Sequence, residues 1–298
     1  MNRARVAVPL LAICATLLLA VGCAHRQPVM GEFKPSPTPP PVADATAPTS
    51  TLTVLAAASL SQAFDELGRA FEQAHPGVKY RGSYAGTQEL VAQMESGAQA
   101  DVFASASEQH MAAAVLKKLV REPKPFASNR ICVAIAPHVP GIASLRNLAH
   151  PGLKLVVAVD KSPIGKYTRK VWRLISDDKD LGPTVAKGIK ANVKSEETDV
   201  KLVLNRVQMG EADAGFVYKS DAQQAGTKIQ VMEIPDRLNV VASYPVAVCA
   251  TSANADLAAQ FVALLLSPEG QAILKHNGFQ PPRAPATKPA PSAPTPKK

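Results

Sequence analysis

The chain has 298 residues, 33 of them basic and 24 acidic, for a formal net charge of +9. Eight basic residues against two acidic ones sit in the first 50 and last 16 positions, so the stretch between holds 25 basic and 22 acidic residues. The basic residues form no run and aromatics are only 5% of the chain, which excludes a nucleic-acid surface that tracks phosphates and stacks bases.

The first 23 residues read as a targeting segment. Arg3 and Arg5 form a charged start, and the apolar run from Val6 to Val21 is about 16 residues, short of the roughly 20 that a spanning helix needs. It ends in Ala20-Val21-Gly22-Cys23, which is similar to a bacterial lipobox with Ala20 where leucine is commoner. The similarity implies cleavage before Cys23 and a lipid on that cysteine; an ordinary cleaved signal and an uncleaved anchor helix are the alternatives. Residues 24–50 include Pro-Ser-Pro-Thr-Pro-Pro-Pro at Pro35 to Pro41, an extended spacer between membrane and folded part. Residues 283–298 are a Pro/Ala/Lys tail whose composition predicts disorder.

Between these ends, strand-like runs fall near 51–56, 78–83, 101–105, 131–136, 154–159, 213–217, 229–234 and 240–250. Helical stretches lie near 61–74, 87–97, 108–119, 165–176, 199–209, 219–224, 253–266 and 268–276. The first helix carries Ala63, Phe64, Leu67, Ala70, Phe71 and Ala74 on one face, the spacing of a buried stripe. Gly210 and Gly278 stand where helix C-caps belong, and Ser267-Pro268-Glu269 opens the last helix with a cap and a first-turn proline. Strands alternating with helices predict an α/β architecture with mainly parallel sheets. Cys132 and Cys249 lie in apolar strand-like runs, as a disulfide or as two independent buried thiols.

Four helix starts carry the chemistry. Thr51 to Ser59 reads Thr-Leu-Thr-Val-Leu-Ala-Ala-Ala-Ser, a strand that delivers a hydroxyl to the mouth of a helix. Open backbone N–H groups at such a mouth favour an anion. Thr87 after Ala85-Gly86 is a candidate N-cap, with Gly86 allowing close approach of the backbone. Ser162-Pro163-Ile164-Gly165 and Glu197-Thr198-Asp199-Val200 open two more helices. Each alone reads equally as an ordinary cap, and spacing does not show that they converge. Tyr218 at a strand end reads alone as a packing residue with its hydroxyl in water.

From Thr51 to about Pro282 the chain resembles the molybdate-binding proteins of ABC-type molybdate importers. The stretches that carry the resemblance are Thr53 to Leu60, Ser96 to Ala106, Ala212 to Ala222, Tyr244 to Val248 and Leu274 to Phe279. It implies a two-lobed class II periplasmic-binding-protein fold with two chain crossings at the hinge, near Asn129 and Ser243. Lobe I would be 51–128 plus 244–282, and lobe II 129–243. It implies hydroxyl contacts to a tetrahedral dianion from Ser59, Thr87 and Tyr218, and backbone N–H contacts from Ile164 and Val200. Thr87 stands where the family commonly has serine, and the Asp160 to Gly165 loop is shorter than usual with Lys161 and Lys166 on it. The implied protein is a monomeric, lipid-anchored extracytoplasmic receptor for molybdate or tungstate, serving an ABC permease and needing no cofactor.

Receptors of the same fold for sulfate or ferric iron are alternatives, although only five tyrosines spread through the chain count against iron. An exported hydrolase using Ser59 is a third, against which the chain has neither a Gly-x-Ser-x-Gly elbow nor a His-Glu-x-x-His helix.

Overall fold

The computed structural model describes residues 50–283. The targeting segment, Cys23, the spacer up to Thr49 and the tail beyond Arg283 lie outside the described residues.

Strand β1 (Ser50–Ala57) buries Leu52 and Val54 to Ala57, an apolar run covered on both faces. Helix α1 (Ser61–Ala74) follows and buries Ala63, Phe64, Leu67, Gly68 and Phe71. Of the predicted stripe, Ala70 is half-buried and Ala74, the last helical residue, is exposed. Next come β2 (Val78–Ala85), α2 (Thr87–Glu95), β3 (Val102–Ala104) and α3 (Glu108–Leu116). A long strand, β4 (Lys124–Ile135), leads to β5 (Leu155–Ala158), α4 (Pro163–Asp177), α5 (Gly182–Ala191) and β6 (Val193–Glu197). The chain continues through α6 (Val200–Gln208), β7 (Ala214–Tyr218), α7 (Lys219–Ala225) and β8 (Gln230–Glu233). It ends with β9 (Val241–Val248), α8 (Ala255–Leu266) and α9 (Pro268–His276).

Two elements were not foreseen. Strand β6 reads Val-Lys-Ser-Glu-Glu and exposes its three central side chains. It is an edge strand, held to β5 by backbone pairing, and such a strand needs no apolar face. Helix α5 has glycine at both Gly182 and Gly188. A Cβ at Gly188 would lie 2.8 Å from that of Ala149, so close packing selects the residue that weakens the helical signal.

The strands run in the order β2-β1-β3-β9-β4-β7-β5-β6, with β8 also on β4. The sheet is mixed rather than mainly parallel. Strand β1 pairs in parallel with β2 and β3, and β5 with β6 and β7. All pairs involving β4 or β9 are antiparallel. The cause is the strand shared by the two halves. Residues Lys124 to Arg130 of β4 pair with β9, and Ile131 to Ile135 pair with β7 and β8. The predicted strand at 131–136 was only the second part of this element.

Along one edge of β4 the pairing passes from β9 to β8 and skips Ile131. There the Asn239 side chain replaces a strand. Its Oδ1 accepts from Ile131 N–H at 3.2 Å, and its Nδ2 donates to Ile131 O at 2.8 Å. Ile131 is wholly buried, so both backbone groups need that partner. Cys132 and Cys249 are both free thiols, which removes the disulfide alternative. Burial pushes the Cys249 thiol up to about 12.

Replacing Asn239 by alanine is expected to cost about 1–3 kcal/mol, the desolvation penalty of a buried group left unpaired. Urea unfolding followed by circular dichroism measures it, and an unchanged midpoint would remove the role assigned to this side chain.

Candidate functional site

The turn after β1 is built from small residues. Ala57 is extended, Ala58 to Leu60 form one 3-10 turn, and α1 begins at Ser61. This places Ser59 at 1% exposure, with its Oγ 3.1 Å from the Tyr244 phenol oxygen. When Tyr244 donates into that contact, the Ser59 proton is left to donate elsewhere.

Thr87 is not the cap of α2. Gly86 is the N-cap, with φ −56° and ψ 134°, and Thr87 is the first helical residue. Thr87 Oγ1 accepts from the Ala106 N–H at 3.3 Å. A bare glycine cap leaves the threonine hydroxyl out of the capping role, and its own proton remains to be given.

Helix α4 starts on a tighter arrangement. Ser162 Oγ accepts from Gly165 N–H at 3.1 Å and donates to Val159 O at 2.8 Å. The Ser162 hydroxyl is therefore consumed internally. Pro163 at the first position has no N–H, and Ile164 at the second has no intrahelical acceptor. A Cβ at Gly165 would lie 1.9 Å from Val159 O, so the helix start can approach the end of β5 only with glycine there.

At α6 the Asp199 carboxylate accepts from Lys201 N–H at 2.7 Å and Leu202 N–H at 3.1 Å. Val200, one residue earlier, keeps its N–H open by the same helix geometry. Thr198, one of the candidate hydroxyl-bearing starts, is exposed and does not line the cavity described below.

Tyr218 ends β7 at 1% exposure, and its hydroxyl is buried with no hydrogen-bond partner. Burial pushes this phenol well above its ordinary range, and the neighbouring Tyr244 and Tyr167 phenols and the Asp221 carboxylate add to the shift. It therefore keeps its proton at every physiological pH. The bland reading of a packing tyrosine with a wet hydroxyl does not describe it.

These groups share one cavity. Ser59, Thr87, Ile164, Val200 and Tyr218 all line it, with Ala57, Ala58, Ala85, Gly86, Ala106, Ser162, Pro163 and Asp199 completing the wall. The cavity is small, about 20 Å³, far below what a drug-sized molecule needs. No lysine, arginine or histidine lines it. One carboxylate does, that of Asp199. Asp199 is only half-buried, and one of its oxygens is held by the first turn of α6. Three helix N-termini, those of α2, α4 and α6, add partial positive charge without a cationic side chain. Sequence reasoning did not find Ala106, which holds Thr87, or Tyr244, which holds Ser59, because both act across long chain separations.

Residues 52–280 match the family model described as bacterial extracellular solute-binding protein. The chain belongs to that family. This solute-binding protein is 40% identical over 233 residues to the molybdate-binding protein ModA of Mycobacterium tuberculosis, covering 78% of this chain and 85% of that one. Its fold matches the periplasmic molybdate-binding protein of Azotobacter vinelandii with a TM-score of 0.67 at 21% identity, over 78% of this chain and 100% of the other. It also matches the sulfate-binding protein SubI of Mycobacterium tuberculosis with a TM-score of 0.69 at 20% identity, over 78% and 87%. The architecture is thus the periplasmic-binding-protein type expected from the sequence. The family consists of receptors, so this protein is not an enzyme, and the Ser59 hydrolase is set aside.

Gly165→Ala is expected to lower the melting temperature by several degrees, because the methyl group has backbone, not a flexible side chain, in its way. Differential scanning calorimetry decides it; an unaltered transition would mean that the α4 start is free to shift.

Proposed function

We propose that this protein captures a fully deprotonated tetrahedral oxyanion, molybdate or tungstate, outside the cytoplasm and hands it to an ABC permease. The observation that carries the reading is the convergence of Ser59, Thr87, Ile164, Val200 and Tyr218 on one small cavity, with the Tyr218 hydroxyl buried and unpartnered. The names of the relatives support the choice of oxyanion.

The chemistry follows from counting protons. An oxyanion without protons only accepts hydrogen bonds, and all five of these groups can donate. A hydrogen bond to a charged partner contributes about 1.5–3 kcal/mol. A protonated anion such as hydrogen phosphate brings a donor of its own and would face these donors with one bond unmade. Asp199 carries the one carboxylate in the wall, and one of its oxygens already caps α6. Sulfate carries no proton either, so size must separate it from the larger metal oxyanions.

In this reading the two lobes are 51–128 plus 244–282 and 129–243, joined by the shared strand β4 and the return into β9. The protein works as a monomer, tethered through a lipid on Cys23 and the spacer to residue 50. Closing the lobes removes the anion from water and presents one closed surface to the permease.

Molybdate is expected to raise the melting temperature clearly and phosphate to leave it unchanged, as read by thermal shift against a panel that includes tungstate and sulfate. A flat response to every oxyanion would sink the reading. Tyr218→Phe keeps the packing and removes one donor, so titration calorimetry should show molybdate binding roughly 10- to 150-fold weaker. Undiminished affinity would take Tyr218 out of the site.

A further inference from the structure

Two side chains that do not line the cavity reach across to the loops that lead into it. Gln88 Nε2 donates to Thr198 O at 2.9 Å, across 110 residues of sequence. His110 Nε2 contacts Lys161 O at 3.0 Å, across 51 residues. A third contact joins the same helices, Lys166 Nζ to Gln109 Oε1 at 3.0 Å. Gln88, Gln109 and His110 belong to α2 and α3 of the first half of the chain. Thr198, Lys161 and Lys166 belong to the second half, at the starts of α6 and α4.

The positions of the two acceptors matter. Thr198 precedes Val200 by two residues, and Lys161 precedes Ile164 by three. Each grip therefore falls on the loop that sets the angle of an open helix N–H facing the cavity. On the donor side, Gln88 follows Thr87 directly, and His110 stands four residues after Ala106, whose N–H holds the Thr87 hydroxyl. The two halves of the donor set are joined at their rims by side chains that do not line the cavity.

We propose that Gln88 and His110 are positioning residues. They form a cross-cleft clasp that fixes the Ile164 and Val200 N–H groups against the Ser59 and Thr87 hydroxyls, and so set how long the cavity stays shut. The inference rests on the oxyanion reading for its main readout. The geometry gives it a direction. Both grips are made to carbonyl oxygens of loop backbone, so they hold a loop in place without adding charge to the site. Gln88 Oε1 and His110 Nδ1 are buried without partners in this closed arrangement. Opening would return them to water, so the clasp holds the closed form only moderately and lets it reopen. Burial and the Lys166 charge lower the His110 pKa.

Stopped-flow exchange of bound molybdate tests it on the full chain. Gln88→Ala and His110→Ala are each expected to speed release roughly two- to tenfold with little change in the association rate, and the double variant to speed it further. His110→Gln, which keeps a side-chain N–H donor, should recover part of the retention. The ranking of molybdate, tungstate and sulfate should not move, and neither should the melting temperature of the ligand-free protein. Wild-type release rates in the double variant would overturn the clasp, as would a changed anion ranking, which belongs to a group that touches the ligand. If the wild type retains no oxyanion, the receptor reading fails and a ligand-free measurement decides the clasp alone. A short bismaleimide joining a Gln109→Cys, Lys166→Cys pair reports closure directly. Its yield should fall when Gln88→Ala and His110→Ala are added, and an equal yield would overturn the proposal.

Discussion

A buried proton donor with no acceptor is the constraint around which this molecule is arranged. The Tyr218 hydroxyl lies in the core without a partner, and Ile164 and Val200, whose first-turn N–H groups have no intrahelical acceptor, line the same space. Each would be costly to leave unpaired in a closed protein. Natural structures keep such groups where something else is meant to fill them. In the proposed function the filler is an acceptor with several lone pairs and no proton of its own. Neutral donors and helix termini supply the attraction, so the site needs no cation and leaves little for a counter-ion to screen.

Concentrating those donors requires two separately built halves to meet. Strand β4 makes this possible, because it takes part in both halves of the sheet and passes from β9 to β8 with only Ile131 unpaired at the changeover. Asn239 covers that one residue with a side chain. The phenol of Tyr244, on the returning strand β9, stands against Ser59 and edge-on to the rings of Tyr218, Phe126 and Phe279. Strand β9 and the floor of the cavity are therefore tied together by one packed aromatic cluster.

The fold alone does not choose the guest. A sulfate-binding protein and a molybdate-binding protein match this architecture about equally well. Choice lies in the donors, in what their own hydrogen bonds leave free, and in cavity size. Ser162 shows the distinction: it has the right residue type at a helix start, yet both its bonding capacities go to its own turn. Thr87 is the reverse case, because glycine caps its helix and frees its hydroxyl proton.

Much of this could be read from the chain itself. The alternation of strands and helices, the stripe of α1, the caps at Ser267, Gly210 and Gly278, and the residues that line the cavity are local or carried by a family pattern. Periodicity and caps depend on neighbours within one or two turns, so sequence order preserves them. Strand β6, helix α5, the antiparallel half of the sheet and the free state of Cys132 and Cys249 were not legible, since an edge strand, a close helix contact and a pairing direction depend on what lies alongside in space. The sequence by itself determined which residues could donate. Only the tertiary structure decided which donors were already spent, because a hydrogen bond between Thr87 and Ala106, or between Ser59 and Tyr244, joins atoms that the chain holds far apart.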